Sequence, residues 1–430
     1  MADGFASVRD EFAAVAAEEG GDFAAQLVAY RHGERIVDLW TGPEITGDSL
    51  LGAFSATKGA AHLIVALLVQ DGTLDLDQRV SHYWPEFAAA GKRNITLREL
   101  LSHRAGLVGA DSGFTLEELS DDRIVAERLG GQRPYWRPGS TFGYHAMVIA
   151  ALSGEVVRRS TGRTIQEHFA ERVRVPYAVD VHLGLPADQE SRFLNTQPML
   201  ATPERPAALA ARATGANSLS GIAFNRNHPR NPEVWELPNF RTVRSLGPAS
   251  LGGVASARGL ARMYAAAISP PDGAAPLLKP GTAAAFAQIH SIGYDLVTRE
   301  HKADGRRRPA SGGPRRAGRR RGPGALPPAR PDAPRRRLVR ERCRGSAFDP
   351  AVSARHVDDA RTDPLNLCGR QGLVGRDENL DQLAPEISGA QHVAHLVVRP
   401  VCLHGRAQRP RCQRIARELV PGRLVNEADL

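Results

Sequence analysis

The sequence predicts a mixed α/β fold in which a sheet is covered by helices. Three observations lead there: a hairpin signal near the start, a series of well-marked helix starts between Thr96 and Glu167, and the loss of all such patterning after about Lys302. A chain of 430 residues is long enough to bury a sizeable core and to divide into two or three domains. The third observation confines the patterned part to its first 300 residues or so.

Phe5, Val8, Phe12 and Val15 recur at helical spacing, and Gly20-Gly21 is the expected stop. "AAQLVAY" and "RIVDLW" then flank "RHGE", which reads as a hairpin with Gly33 at the turn. Both strands are apolar along most of their length, as in a sheet covered by helices. Thr96 with Glu99, Thr115 with Glu118 and Thr164 with Glu167 each have capping-box spacing. "YHAMVIAALSGEVVRRSTG" predicts a helix starting near His145, with Met147, Ala150, Ala151 and Val157 on one face. Arg158 and Arg159 suit its C-terminal dipole, and Gly162 is a plausible stop. "SARGLARMYAAAI" is another helix, with Ser256 as its N-cap. No internal repeat is present.

Charge and cysteine divide at the same place. Residues 1–305 carry about 30 Lys and Arg against about 34 Asp and Glu, whereas 306–430 carry about 26 against about 13. The net charge of +9 therefore says nothing about the partners of the main body. Cys343, Cys368, Cys402 and Cys412 all lie in the last part, and their spacings match no zinc pattern. The start, "MADGFASVRDEF", lacks the basic and apolar regions of a signal peptide. The apolar run from Ala60 to Val69 is shorter than the ~20 residues a bilayer requires. The body reads as cytoplasmic, with no membrane partner.

The chemistry centres on "GAFSATKGAAHLIVALLVQDG". Lys58, one of four lysines, enters an apolar helix three residues after Ser55. S-x-x-K alone is a weak signal. A helix starting near Ser55 places both side chains on one face, with the hydroxyl at the helix N-terminus. Burial lowers a lysine pKa and makes the neutral amine accessible, so that it can serve as general base for a serine nucleophile. The bland alternative is a lysine snorkelling from a surface helix. In "YWRPGSTFGYHAM", Tyr144 is placed to exchange protons with the serine or its leaving group, if Lys58 keeps it partly ionised; on spacing alone it reads more readily as a packing residue. His103, in "LLSHRAGL", reads as a loop histidine bonded to backbone rather than as a base.

The segments "FSATKGAAHLIVALLVQDGTLDLDQRVSHYWPEF", "ITLRELLSHRAGL" and "WRPGSTFGYHAM" together resemble the serine β-lactamase and penicillin-binding-protein superfamily. Within it they are most similar to the family VIII carboxylesterases, which have class C-like architecture. The resemblance covers about residues 5 to 301 with the motifs in order. It implies an α/β (α+β) fold: an antiparallel sheet flanked by helices, with sheet-associated parts at 1–80 and 240–305 and a mostly helical subdomain at 81–239. It also implies that Ser55 is the acyl-forming nucleophile, Lys58 its base and Tyr144 the proton relay of a Y-x-N motif.

Two departures matter. Ala146 stands where β-lactamases carry an asparagine that helps hold the β-lactam amide, which tilts the expectation towards an esterase. The K-T-G, H-x-G or W-x-G segment that closes such sites, and the C-terminal strands around it, have no counterpart after "HSIGYDLVTREHK"; "KPG" at Lys279 opens a helix instead. In their place, about 15 of the 40 residues from 306 to 345 are arginine, and most others are Pro, Gly or Ala. Three readings of 306–430 compete: a genuine tail binding nucleic acid or another polyanion, a disordered linker to a small domain, and translation out of frame. The coincident switch of composition, charge and cysteine usage favours the last. Without closing strands the N-terminal hairpin would remain an exposed edge and one oxyanion donor would be lacking.

The expected function is hydrolysis of small carboxylic esters through an acyl-enzyme on Ser55, with Lys58 as general base and Tyr144 as relay. The substrate is a small-molecule ester or amide, no metal or organic cofactor is implied, and nucleic acid is a partner only if the basic tail is genuine. A β-lactamase or D-alanyl peptidase is the nearest alternative. An inactive hydrolase-like body with a polyanion-binding tail is the alternative from another class.

Overall fold

The N-terminal segment folds as its periodicity predicts. Helix α1 (Ala6–Glu19) buries Val8, Phe12 and Val15. Val8 and Phe12 pack on Leu27, Ala29, Ile36 and Val37 of a hairpin made by β1 (Ala25–Arg31) and β2 (Glu34–Thr41). The other face of β1, Val28 and Tyr30, packs on Ala257, Ala261 and Ala265 of a later helix. Covered on both sides, β1 is apolar from Leu27 to Tyr30 without alternation. The turn residues His32 and Gly33 both have positive φ, 51° and 82°, as a tight hairpin turn requires. A Cβ on Gly33 would also lie 2.7 Å from the Pro270 carbonyl oxygen.

The structure is a computed structural model and describes residues 2–19, 23–198 and 214–302. The Gly20-Gly21 stop, the four cysteines, the arginine-rich stretch and the place where closing strands are expected all lie outside the described residues. Among the described residues, no helix is long and apolar enough to cross a membrane.

A short antiparallel sheet forms the centre. It joins β3 (Leu51–Gly52), β4 (Val181–His182) and β5 (Val254–Ala255) in the order β3-β5-β4. From β3 the chain passes through a 3₁₀ turn (Phe54–Ala56) into α2 (Thr57–Gln70). That helix is apolar nearly all round, and it is correspondingly buried along its length, as a helix threading a core must be.

Four short helices follow: α3 (Val80–Tyr83), α4 (Leu97–Leu101), α5 (Leu116–Ser120) and α6 (Asp122–Gly131). Next come α7 (Ile149–Thr161) and α8 (Ile165–Phe169), both packed on α2. The three expected capping boxes form at α4, α5 and α8, each with the threonine accepting from the third amide and the glutamate reaching back. Gly162 ends α7 in the left-handed conformation at φ 75°. Arg158 and Arg159 both bond Glu155, one turn back, so ion pairing as well as the helix dipole places them.

The remaining helices are α9 (Leu219–Ala223), α10 (Arg241–Leu246), α11 (Ala257–Ile268) and α12 (Pro280–Phe286). Ser256 caps α11 by accepting from the Gly259 amide. Lys279 precedes α12, so "KPG" does open a helix. Two further strands, β6 (Gly293–Tyr294) and β7 (His301–Lys302), pair with each other.

One boundary differs from expectation: α7 starts at Ile149, not near His145. The His145 ring accepts from the Leu107 amide at 3.1 Å and bonds the Gly143 carbonyl at 2.7 Å, while its own amide donates to His103 Nδ1 at 3.1 Å. These bonds fasten the segment before α7 to the 103–107 loop and keep it out of the helix.

Candidate active site

The sheet, the 3₁₀ turn and the start of α2 place Ser55. The Ala53 amide donates to the Gly253 carbonyl at 2.8 Å, and the Gly253 amide to Thr57 Oγ1 at 3.1 Å. A Cβ on Gly253 would lie 2.6 Å from Thr57 Oγ1, so only glycine permits this approach. Phe54 has φ 45°, a left-handed conformation that is costly for a bulky residue and turns the chain sharply out of β3. Ser55 emerges exposed, while Lys58 beneath it is only 7 % exposed.

Lys58 Nζ lies 3.1 Å from Ser55 Oγ, 2.5 Å from the Ala146 carbonyl oxygen and 2.8 Å from the Ser250 carbonyl oxygen. An ammonium would donate to all three. A neutral amine has two hydrogens, and the carbonyls, which can only accept, take both. The lone pair then faces Ser55. Burial lowers the Lys58 pKa from 10.5 to about 7, so the neutral form is well populated near neutrality.

Tyr144 donates its hydroxyl to Ser55 Oγ at 2.7 Å, and its ring centroid is 5.0 Å from Lys58 Nζ. The three side chains singled out in the sequence thus meet at one oxygen. With Lys58 neutral, the hydrogen bonds run in one direction, from Tyr144 through Ser55 to the amine. Partial ionisation of Tyr144 is disfavoured. Burial pushes its pKa up, the Ser55 hydrogen bond opposes this, and Asp295 adds to it. The phenol is therefore intact at neutral pH.

The surroundings hold other charges away. His103 accepts from the His145 backbone amide through Nδ1, as expected of a loop histidine bonded to backbone. Burial, reinforced by the neighbouring His145, keeps its pKa well below the usual histidine range. Burial likewise brings His145 down to about 4, and it lowers His62, whose Nδ1 bonds the Lys58 carbonyl. All three imidazoles are neutral beside a lysine that must lose its proton. Asp295 fastens Tyr144 from behind: its Oδ1 accepts from the Tyr144 amide at 3.2 Å and from the Val297 and Thr298 amides at 2.9 Å each. Ser250 and Asp295 carried no signal in the sequence, and Ala146 contributes its backbone.

A family model described as "Beta-lactamase" matches residues 12–327, most of the chain. The chain belongs to the β-lactamase family.

The family's sequence relatives include the esterase/beta-lactamase LipL of Mycobacterium tuberculosis, which is 31 % identical over 255 residues, 56 % of this chain and 57 % of that protein. The chain thus spans just over half the length of LipL, and 39 % of the length of esterase EstB of Burkholderia gladioli, at 28 % identity. Among solved structures, EstA from Arthrobacter nitroguajacolicus Rue61a is 42 % identical with a TM-score of 0.64, covering 70 % of this chain and 78 % of that one. A family VIII carboxylesterase is 31 % identical with a TM-score of 0.61, over 70 % and 79 % of the two chains. This β-lactamase-family chain therefore has the expected fold, mixed helices with antiparallel sheets, and its relatives include proteins named as esterases.

Proposed function

We propose that the chain is a serine hydrolase that cleaves small carboxylic esters through an acyl-enzyme on Ser55. The observation that carries this reading is an exposed serine 3.1 Å from a buried amine whose pKa is lowered to about 7 and whose hydrogens are claimed by two carbonyls. Lys58 takes the Ser55 proton as Oγ attacks the ester carbonyl. The Ser55 backbone amide lies in the 3₁₀ turn that leads into α2, where developing negative charge is favoured. Tyr144, protonated and bonded to Ser55 Oγ, passes a proton to the departing alcohol. The Tyr144 phenolate then takes a proton from water, which attacks the acyl carbonyl, and Lys58 returns its proton to Ser55 Oγ as the acid is released.

Esters are preferred to β-lactams because Ala146 offers only a methyl group where an asparagine would hold the lactam amide. The name of LipL joins both activities, so a β-lactam belongs in the same assay. Hydrolysis of a short-chain p-nitrophenyl ester is expected to exceed that of a chromogenic cephalosporin. The general base works when neutral, so the ester rate is expected to rise with pH through a midpoint near 7. Faster cephalosporin turnover would instead establish a β-lactamase. A rate with no inflection near neutrality would remove Lys58 as the base.

A further inference from the structure

The two carbonyls that orient Lys58 come from chain segments about a hundred residues apart, and something must hold them in register. The Ser250 side chain links them. Its Oγ accepts from the Ala150 amide at 2.9 Å, in the first turn of α7, just after Ala146. Ser250 and Ala150 are fully buried, and Val148, which precedes α7, gives that helix no side-chain cap. Ser250 thus satisfies a helix-start amide that would otherwise be orphaned.

The adjoining peptide is held from its other side. Asp122 Oδ2, at the start of α6, accepts from the Ala249 amide at 2.9 Å and from Gln166 Nε2 at 2.9 Å. Gln166 Nε2 also reaches the Gly247 carbonyl at 3.2 Å. The loop carrying Ser250 is therefore tied to α6, α7 and α8, and none of these bonds involves a group that touches substrate.

We propose that Ser250 and Asp122 are positioning residues that hold the Ala249–Ser250 segment so that the Ser250 carbonyl and that of Ala146 aim the Lys58 lone pair at Ser55. The inference rests on Lys58 being the base of the proposed reaction. Two fixed acceptors leave a neutral amine one orientation. With one carbonyl free to move, the amine rotates and the lone pair no longer faces the hydroxyl. Misplacement on the ångström scale is known to cost about a hundredfold in rate.

The test measures kcat and KM for the p-nitrophenyl ester, and the rate of labelling by a fluorophosphonate, in the full chain. Ser250→Ala and Asp122→Ala are each expected to lower kcat and the labelling rate by about 10- to 100-fold with KM nearly unchanged. Asp122→Asn, which keeps an acceptor for the Ala249 amide, is expected to recover most of the loss. In a Lys58→Ala background, Ser250→Ala is expected to add nothing, because it acts through the lysine alone. Parental rates in both alanine variants would overturn the proposal, as would an undiminished loss in the Lys58→Ala background, or an Asp122→Asn variant as slow as Asp122→Ala. Where Ser250→Ala fails to fold, the Asp122 pair decides. Lys58→Ala retaining the parental rate would bring down the base assignment itself; an inactive Lys58→Ala beside a fully active Ser250→Ala would bring down only the positioning role.

Discussion

Replacing Lys58 with methionine is expected to slow acylation by at least about a thousandfold and to change how stability depends on pH. The first effect follows from losing the base bonded to Ser55 Oγ. The second follows from burial. The folded-state pKa of Lys58 is about 7, below its ordinary 10.5, so between those values the unfolded chain binds a proton that the folded chain does not. The destabilisation is absent above about 10.5, grows as pH falls through that window, and is complete below about 7. The parent is thus expected to gain on the Lys58→Met variant by up to about 5 kcal/mol between neutral and strongly alkaline pH. At any one pH the sign is less informative, because methionine leaves the Ala146 and Ser250 carbonyls without donors, at about 1–3 kcal/mol each. Urea midpoints of both proteins at neutral and alkaline pH give the comparison. A constant difference would mean that Lys58 titrates as an ordinary amine.

Tyr144→Phe is expected to lower kcat by about 10²- to 10⁴-fold with little change in KM or melting temperature. The phenol reaches Ser55 Oγ at 2.7 Å and keeps its proton at neutral pH, so it is suited to donate to a leaving alcohol. The ring stands edge-on to His103 at 5.2 Å, and phenylalanine preserves that packing. Steady-state kinetics with a short-chain alkyl ester, whose alkoxide must be protonated as it leaves, separate the possibilities. A loss of less than about threefold would make Tyr144 a packing residue, the reading its spacing alone favours.

What was legible in the sequence was local. Capping boxes, the "RHGE" turn and the Ser55–Lys58 spacing each act within a few residues, so the pattern contains the interaction. The start of α7 was misplaced because histidine bonds from the 103–107 loop, over 30 residues away, hold His145 outside the helix. The supports of the site were not legible. Ser250 is 192 positions from Lys58, and Asp295 is 151 from Tyr144. Ala146 and Ser250 bind Lys58 through backbone oxygens, for which residue identity carries no signal. Tyr144 was recognisable through family resemblance, but its protonation state depends on burial, which its motif does not express.

Ser55 is the proposed nucleophile. The most direct test of this role is to treat the full chain with a fluorophosphonate, weigh the intact protein, and map the adduct by peptide mass spectrometry. One adduct per chain is expected, on Ser55, slowed by an ester substrate and absent from Ser55→Ala. An adduct that persists in Ser55→Ala, or well-folded protein that never labels, would contradict it.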